Sequence, residues 1–547
     1  MLKHVIDMGR PSWITVEIDD DRISKIYKEG ARYFNDVQVD IQCDPRHADV
    51  FVTASKASVK YLKLRWNTVK LSKSAKFLGD EWERAYGYMG FRGMIPNRIM
   101  PWYFLMSEDN KTSGYGVMVQ PSAMCFWQID TSGVTLFLDL RNGGSGVALQ
   151  GRKLKAATII ARSYENVSSF EAAQSFCRDM CPSPLLPDFP VYGSNNWYYA
   201  YGNSSEEEIL SDTDYVLRVT HGTDNPPFMV IDDCWQEHHR LNEYNGGPWT
   251  RGNDKFPDMA GLAEKLREKG VRPGIWVRLL LNEDQKIPEE WRSPLNGCLD
   301  PTHPEALEYI KADVQRMCAW GYRLIKHDFS TFDLFNRWGF EMNPLVTEES
   351  KQGWHFHDRS KTNAEVVKML YGAILKAARP YRAIILGCNT IGHLGAGLMH
   401  LNRVGDDTSG RNWERTRQIG INALAFRLPQ HNTFYAIDAD CVGIAGPVKW
   451  SFNKQWADLL AKSGTALFIS AKPNLLNDHD EEELRQTLVS ASKQDHHYVP
   501  IDWEETDCPE VWADGEHSVQ YHWYEEGGLS FKYDAIRYQS YLSVVNQ

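Results

Sequence analysis

The chain of 547 residues has no long hydrophobic run: nothing in it approaches the roughly 20 consecutive apolar residues of a membrane-spanning helix. Its first residues, Met1-Leu-Lys-His-Val-Ile-Asp-Met, lack the apolar stretch of a secretory signal. No membrane partner and a cytoplasmic location are therefore expected. Basic runs are also missing, and 60 Lys and Arg stand against 72 Asp and Glu for a net charge of −12. A surface of that sign repels a phosphate backbone, which excludes nucleic acid as a partner. The ten cysteines form no CxxC pair and no disulfide framework, so reduced and mostly buried thiols are expected. No metal signature is present. His355-Phe-His-Asp358 has no third ligand at a useful spacing, and Gly392-His-Leu-Gly-Ala-Gly397 runs in the wrong order for a nucleotide loop. Neither a metal nor a cofactor is expected.

Aromatic residues, by contrast, are abundant at 12%, including 19 Trp. Flat apolar faces with a polar tip suit a carbohydrate ring as well as a core. The first 185 residues alternate apolar and polar positions in Thr15–Ile18, Val37–Ile41, Val59–Leu64 and Val134–Leu140, the pattern of half-buried antiparallel strands. One-faced strands of that number predict a β-sandwich over 1–185. The prolines of Cys181–Pro190 then break the pattern.

From there to 473, eight short apolar runs alternate with helical segments, which predicts a (β/α)8 barrel over 186–473, with a doubly wound sheet as the runner-up. The expected strands are Val191–Asn196, Phe228–Asp233, Pro273–Arg278, Arg323–Asp328, Ala383–Cys388, Leu401–Asp406, Phe434–Asp438 and Ala466–Ser470. Residues 474–547, with Ser518–Tyr524 and Leu529–Tyr533 as strand candidates, are expected to be a small β-rich segment. The whole reads as a multidomain α/β protein.

Polar residues recur where the barrel strands end: Asn195, Asp232, Asp233, Arg278, Lys326, Asp328, Asn389, Asp406, Asp407, Asp438 and Asp440. A single polar site on the C-terminal face of the barrel accounts for the recurrence. Two carboxylates at the ends of the fourth and sixth strands, Asp328 and Asp406, suit glycoside hydrolysis by a nucleophile and an acid/base. Lys326, two residues before Asp328, is placed to hold a sugar hydroxyl and keep that carboxylate ionised.

Several motifs resemble one family, in order, over about residues 190–470. Ile231-Asp-Asp-Cys-Trp235 with Lys255-Phe-Pro-Asp-Met and Gly274-Ile-Trp is similar to the second and third strands of the retaining α-galactosidases and α-N-acetylgalactosaminidases. These are glycoside hydrolase families 27 and 36, and the chain looks nearer the second. Lys326-His-Asp328 resembles the family's nucleophile motif, Asp438-Ala-Asp-Cys441 its seventh-strand motif, and Val191–Trp197 its opening strand. Gly405-Asp-Asp-Thr408 followed by Trp413-Glu resembles the acid/base motif.

The resemblance implies a cofactor-free retaining exo-α-glycosidase acting on α-galactosides, with Asp328 as nucleophile and Asp406 as acid/base. It also implies Asp232 and Asp233 as binders of sugar hydroxyls, with Trp235, Trp276, Lys326, Arg403 and Asp440 around the ring.

The chain departs from the family in three places. Relatives have three residues between the arginine and the acid/base, which makes Asp407 a second candidate beside Asp406. Asn389 stands where many relatives carry Glu, and Arg278 where they carry a carboxylate or a small residue. Both are expected to touch substrate, and Arg278 raises an anionic glycone as an alternative. Other glycones (N-acetylgalactosamine, glucose, arabinopyranose, a uronic acid), transglycosylation of the raffinose-synthase kind and non-catalytic sugar binding stay open. So does a homo-oligomer, for which no interface is specified.

Overall fold

The computed structural model describes residues 10–18, 21–26, 32–67, 74–87, 89–342, 353–524 and 528. The N-terminal region is built from strands with one face to bury. In Ser58–Trp66 the buried positions are Val59, Leu62, Leu64 and Trp66, and the single break in that alternation coincides with a bulge opposite Glu17–Ile18. Two antiparallel sheets of seven strands result.

One sheet runs Asp21–Ile26, Trp13–Ile18, Ser58–Trp66, Gly133–Asp139, Met124–Asp130, Met100–Pro101, with Val147–Ala148 paired to Ser58–Trp66. The other runs Arg32–Phe34, Val37–Cys43, Ala48–Ala54, Leu154–Glu165, Lys111–Val117, Tyr103–Glu108, Lys76–Gly79. Their inner faces meet in the core, where Phe104 of the second lies edge-on to Trp127 of the first at 5.7 Å. A helix, Ser169–Met180, follows. Its Ser168/Glu171 capping box fixes the start, and it buries Phe170, Phe176 and Met180.

The next region closes into a barrel of eight parallel strands: Tyr192–Asn195, Phe228–Ile231, Arg272–Val277, Leu324–His327, Ile384–Gly387, Leu401–Arg403, Ala436–Ile444 and Ala466–Ala471. The eighth pairs with the first, Leu467 opposite Tyr192, which rules out the doubly wound sheet. Helices Met259–Lys269, Pro304–Trp320 and Asn363–Ala378 stand among the helical segments that alternate with the strands. Pro304 opens its helix, and Gly321, at φ +115°, turns the chain from that helix into the fourth strand.

Period-two alternation sorts the fourth strand by height. Leu324 joins Val230, Leu386, Leu401 and Phe468 in the barrel's apolar floor, Lys326 lies above it, and Asp328 stands at the rim.

Two stretches differ from expectation. The seventh strand continues to Ile444, and its register against the eighth breaks between Asp438 and Cys441. Residues 474–547 open with a helix, Asp478–Ala491, that packs on Trp450–Lys462 and Glu206–Val219 and so completes the barrel's outer ring. Only after it come three short antiparallel strands, Val499–Pro500, Val511–Asp514 and His517–Gln520. The candidate strand Leu529–Tyr533 lies outside the described residues. Among the described residues, no helix is long and apolar enough to cross a membrane. Nine of the ten cysteines are buried thiols outside any disulfide.

Candidate active site

The ends of the barrel strands converge on Asp328. Its Oδ2 accepts from Trp276 Nε1 at 3.0 Å, and its Oδ1 accepts from Asn389 Nδ2 and from the Phe329 amide. Burial pushes the Asp328 carboxyl up, but the charges of Lys326 and Arg84, with the bonds from Trp276 and Asn389, outweigh it and hold the group below the ordinary aspartate range. An ionised carboxylate held by three donors suits a nucleophile.

Lys326 Nζ donates to Asp232 Oδ2 at 2.7 Å, and Asn195 Nδ2 donates to the same oxygen at 2.6 Å. Among the described residues no lysine or arginine pairs with Asp233, and His239 Nε2 stands 3.9 Å from its Oδ1. Burial pushes its carboxyl up to about 7, and the nearby charges of Asp232 and Asp328 add to that, against bonds from Gln236 and Asn245.

Opposite, the turn after the sixth strand carries Asp406 and Asp407. Asp406 is held at both oxygens, Oδ1 by Arg84 at 2.7 Å and Oδ2 by Arg415 at 2.5 Å. Asp407 is held at one: its Oδ1 accepts from Arg403 at 2.9 Å and from Arg84 at 3.4 Å. No hydrogen bond from the described residues reaches its Oδ2, and the side chain is 41% exposed. Its carboxyl resists the upward push of desolvation because Arg403, Arg84 and Arg415 hold it well below the usual range. Arg403 also pairs with Asp440 at 2.9 Å. Asp440 accepts further from the Tyr198 hydroxyl and the Thr408 amide. The bulge at 438–441, with Asp440 at φ +73°, sets this second carboxylate on the rim beside Asp438.

Not every expected residue lies where the sequence put it. Trp235 is fully buried: its Nε1 donates to the Trp276 carbonyl and its ring packs against Trp249 and Trp320. It supports Trp276 from behind and presents no face to a sugar. Arg278 does not offer a free guanidinium. Asp333 takes it at 2.6 Å, Asn245 accepts from it, and it lies 4.2 Å over the Phe329 ring.

The Gly392–Gly395 turn is buried and docks the sandwich, with His393 stacked on Trp102 at 4.9 Å and its Nε2 3.0 Å from the Val117 carbonyl. His355 and His357 do not converge. The first bonds its neighbour's carbonyl and the second packs on His303.

Sequence reasoning missed Arg84, Arg415, Tyr198 and Asp333. Arg415 and Asp333 follow strand ends by several residues and sit on helices, where no strand-end pattern points to them. Arg84 comes from the sandwich, 322 residues before Asp406. Its loop adds a backbone bridge to the barrel: the Ala85 amide donates to the Val404 carbonyl at 2.7 Å, and the Asp406 amide donates to the Ala85 carbonyl at 3.1 Å.

Fold and site together define a β-sandwich joined to a (β/α)8 barrel, with a carboxylate-rich cleft at the C-terminal ends of the strands. Solved structures of that architecture are similar over nearly the whole chain. The α-galactosidase of Thermus thermophilus, solved with p-nitrophenyl α-D-galactopyranoside, matches with a TM-score of 0.59 and 18% identity, covering 93% of this chain and 99% of that one. A GH36 α-galactosidase from Geobacillus stearothermophilus in complex with 1-deoxygalactonojirimycin matches at 0.54 and 12% identity, over 90% and 77%. A GH31 sulfoquinovosidase from E. rectale matches at 0.58 and 12% identity, over 95% and 88%.

Among curated proteins, an α-galactosidase of Oryza sativa subsp. japonica is 24% identical over 140 residues, 25% of this chain and 29% of that protein. A probable α-galactosidase B of Talaromyces emersonii is 26% identical over 156 residues, 27% and 31% of the two. The chain thus matches about three tenths of the length of these curated relatives. No protein-family model matches it.

Proposed function

We propose that the protein is a retaining exo-α-glycosidase acting on terminal α-galactosides. In this reading Asp328 attacks the anomeric carbon to form a β-glycosyl-aspartate. A carboxyl on the turn after the sixth strand protonates the departing oxygen and then takes a proton from the attacking water. The observation that carries the reading is the environment of Asp328, a buried carboxylate kept ionised by Lys326 and Arg84 and oriented by Trp276 and Asn389. Similarity to α-galactosidases supports the choice of sugar.

Asp406 and Asp407 both remain eligible for the second role. The geometry favours Asp407, which keeps an oxygen clear of its arginines and open to the cleft, whereas Asp406 has none. The arginines of Asp407 hold it ionised in the free protein, which suits the base of the second step, so the acid step requires that the bound glycoside raise its pKa.

The cations of the site argue for a neutral glycone. Arg84 and Arg415 are matched by Asp406, Arg403 by Asp407 and Asp440, Arg278 by Asp333, and Lys326 by Asp232. None of these five is left over for a uronate.

The test is turnover of aryl α-glycosides of galactose, N-acetylgalactosamine, glucose, arabinopyranose and a uronic acid by the wild type and by Asp328→Ala. The galactoside is expected to be cleaved best, and the variant to lose about 10⁴-fold or more. Equal turnover by the variant would remove Asp328 from the chemistry. Silence of well-folded wild type across the panel would overturn the glycosidase reading. Adding an acceptor sugar separates transfer from hydrolysis.

A further inference from the structure

We propose that Arg84, supplied by the N-terminal sandwich, is a positioning residue of the barrel's active site, whose guanidinium holds both aspartates of the 404–408 turn in place opposite Asp328. The proposal rests on the glycosidase reading above.

Three observations carry it. The guanidinium forks across the two carboxylates, 2.7 Å from Asp406 Oδ1 and 3.4 Å from Asp407 Oδ1. A planar fork can hold two neighbouring carboxylates at a fixed angle, which a point charge cannot. The side chain is nearly inaccessible, at 8% exposure, so its charge acts with little screening. The backbone is pinned on both sides of the turn, through Ala85 to Val404 and Asp406 and through Arg427 Nη1 to the Glu83 carbonyl at 2.6 Å. An arginine used only to glue two domains would not need to lie among the carboxylates on which the chemistry depends.

The charged and titratable groups around this centre are few. Arg84 faces Asp406, Asp407, Tyr86, Glu83 and Arg403. Asp407 also faces Arg403, Arg415 and Lys326. Asp328 faces Lys326, Trp276 and Asn389, and the carboxyls of Asp233 and Asp333, the thiol of Cys388, the Arg278 guanidinium and the His327 ring feel its charge. Arg84 is the cation common to Asp328 and Asp407 that comes from outside the barrel, and its field lowers both. Its loss therefore moves both in one direction, upward.

The experiment is the pH dependence of kcat/KM on 4-nitrophenyl α-galactoside for wild type, Arg84→Gln, Arg84→Met and Arg84→Lys. Arg84→Met keeps the stem that lies over the Tyr86 ring and is the second neutral variant should the glutamine variant not fold. In a neutral variant both limbs of the bell are expected to move to higher pH by about one unit. The fall is expected in kcat more than in KM. Arg84→Lys is expected to leave the limbs in place while losing part of kcat, because it keeps the charge and loses the fork.

A folded neutral variant whose limbs do not move overturns the proposal. So does failure of both neutral variants to fold while Arg84→Lys folds, which would make the residue structural. Inactive wild type would instead be a failure of the glycosidase reading, so the two are told apart.

Discussion

Asp406 and Asp407 are neighbours in the chain with different freedom, and that difference decides what each can do. Asp406 spends both oxygens on arginines, and Asp407 spends one. Asp407→Asn is therefore expected to lose about 10²–10⁴-fold on an α-galactoside with a poor leaving group, and far less on a dinitrophenyl glycoside whose departure needs no proton. Azide should restore turnover of this variant, with α-galactosyl azide as the product. Asp406→Asn should slow both substrates alike, because it releases Arg84 and Arg415 from their partner. Azide rescue of Asp406→Asn in place of Asp407→Asn would reverse the two roles.

Asp233 gives a separate test through stability. Its carboxyl titrates near 7 in the folded chain and near 4 in the unfolded one. Between those values the folded state keeps a proton the unfolded state has lost, so the contribution of this group falls as pH rises from about 4 to about 7 and is fully lost above. Asp233→Asn, which cannot ionise, is expected to melt above wild type at pH 8, by a difference worth on the order of a few kcal/mol, and level with it at pH 4. A melting difference that does not change with pH would refute that assignment.

Elements set these positions, and the turn after the sixth strand is the most constrained. A Cβ on Gly405 would lie 2.0 Å from the Ile419 carbonyl oxygen, which belongs to the π-helical turn Arg417–Ile421. Neither backbone can yield without moving Asp406 and Asp407. Gly405→Ala is expected to cost about 2 kcal/mol or more and to lower kcat over tenfold, as read by thermal melting and initial rates.

The same element shows what a sequence can and cannot disclose. Six of the eight barrel strands were legible to within two residues, and the sixth to within three, because a buried parallel strand is a short apolar run between helical periods. The seventh strand was cut short at Asp438, since its continuation through a bulge, with Asp440 in a left-handed conformation, breaks that pattern. Lys326 and Asp328 were legible because period two put both on the inner face. Trp235 was misplaced because the residue after a strand end can turn back into the core as readily as into the cleft, and only packing decides. Arg84 carried no local sign at all: its role comes from a contact across 322 residues.

At the scale of the whole molecule, the sandwich reaches the barrel's carboxylate cleft through Arg84, and the joint between them is polar and buried. Asp80, beside the last residue of the Lys76–Gly79 strand, accepts from Arg427 Nε and from Gln430 Nε2, both at 2.9 Å. The ion pair is 1–2% exposed. Replacing both partners by apolar groups could leave stability unchanged, but removing one leaves a guanidinium buried without its counter-charge, at about 3–5 kcal/mol.

Arg427 also donates to the carbonyls of Glu83 and Val404, the first two residues before Ala85 and the second just before Gly405. Its displacement would loosen the segment that presents Arg84 and the turn that presents Asp406 together. Asp80→Asn is therefore expected to do two things at once: lower the melting temperature, with calorimetry showing the sandwich released before the barrel, and reduce kcat on 4-nitrophenyl α-galactoside at temperatures well below that release. A variant that melts lower but keeps full kcat would mean that the joint only holds the domains together. Loss of both would mean that the sandwich is part of the catalytic apparatus, since a domain needed only for solubility has no reason to set the geometry of a carboxylate in its neighbour.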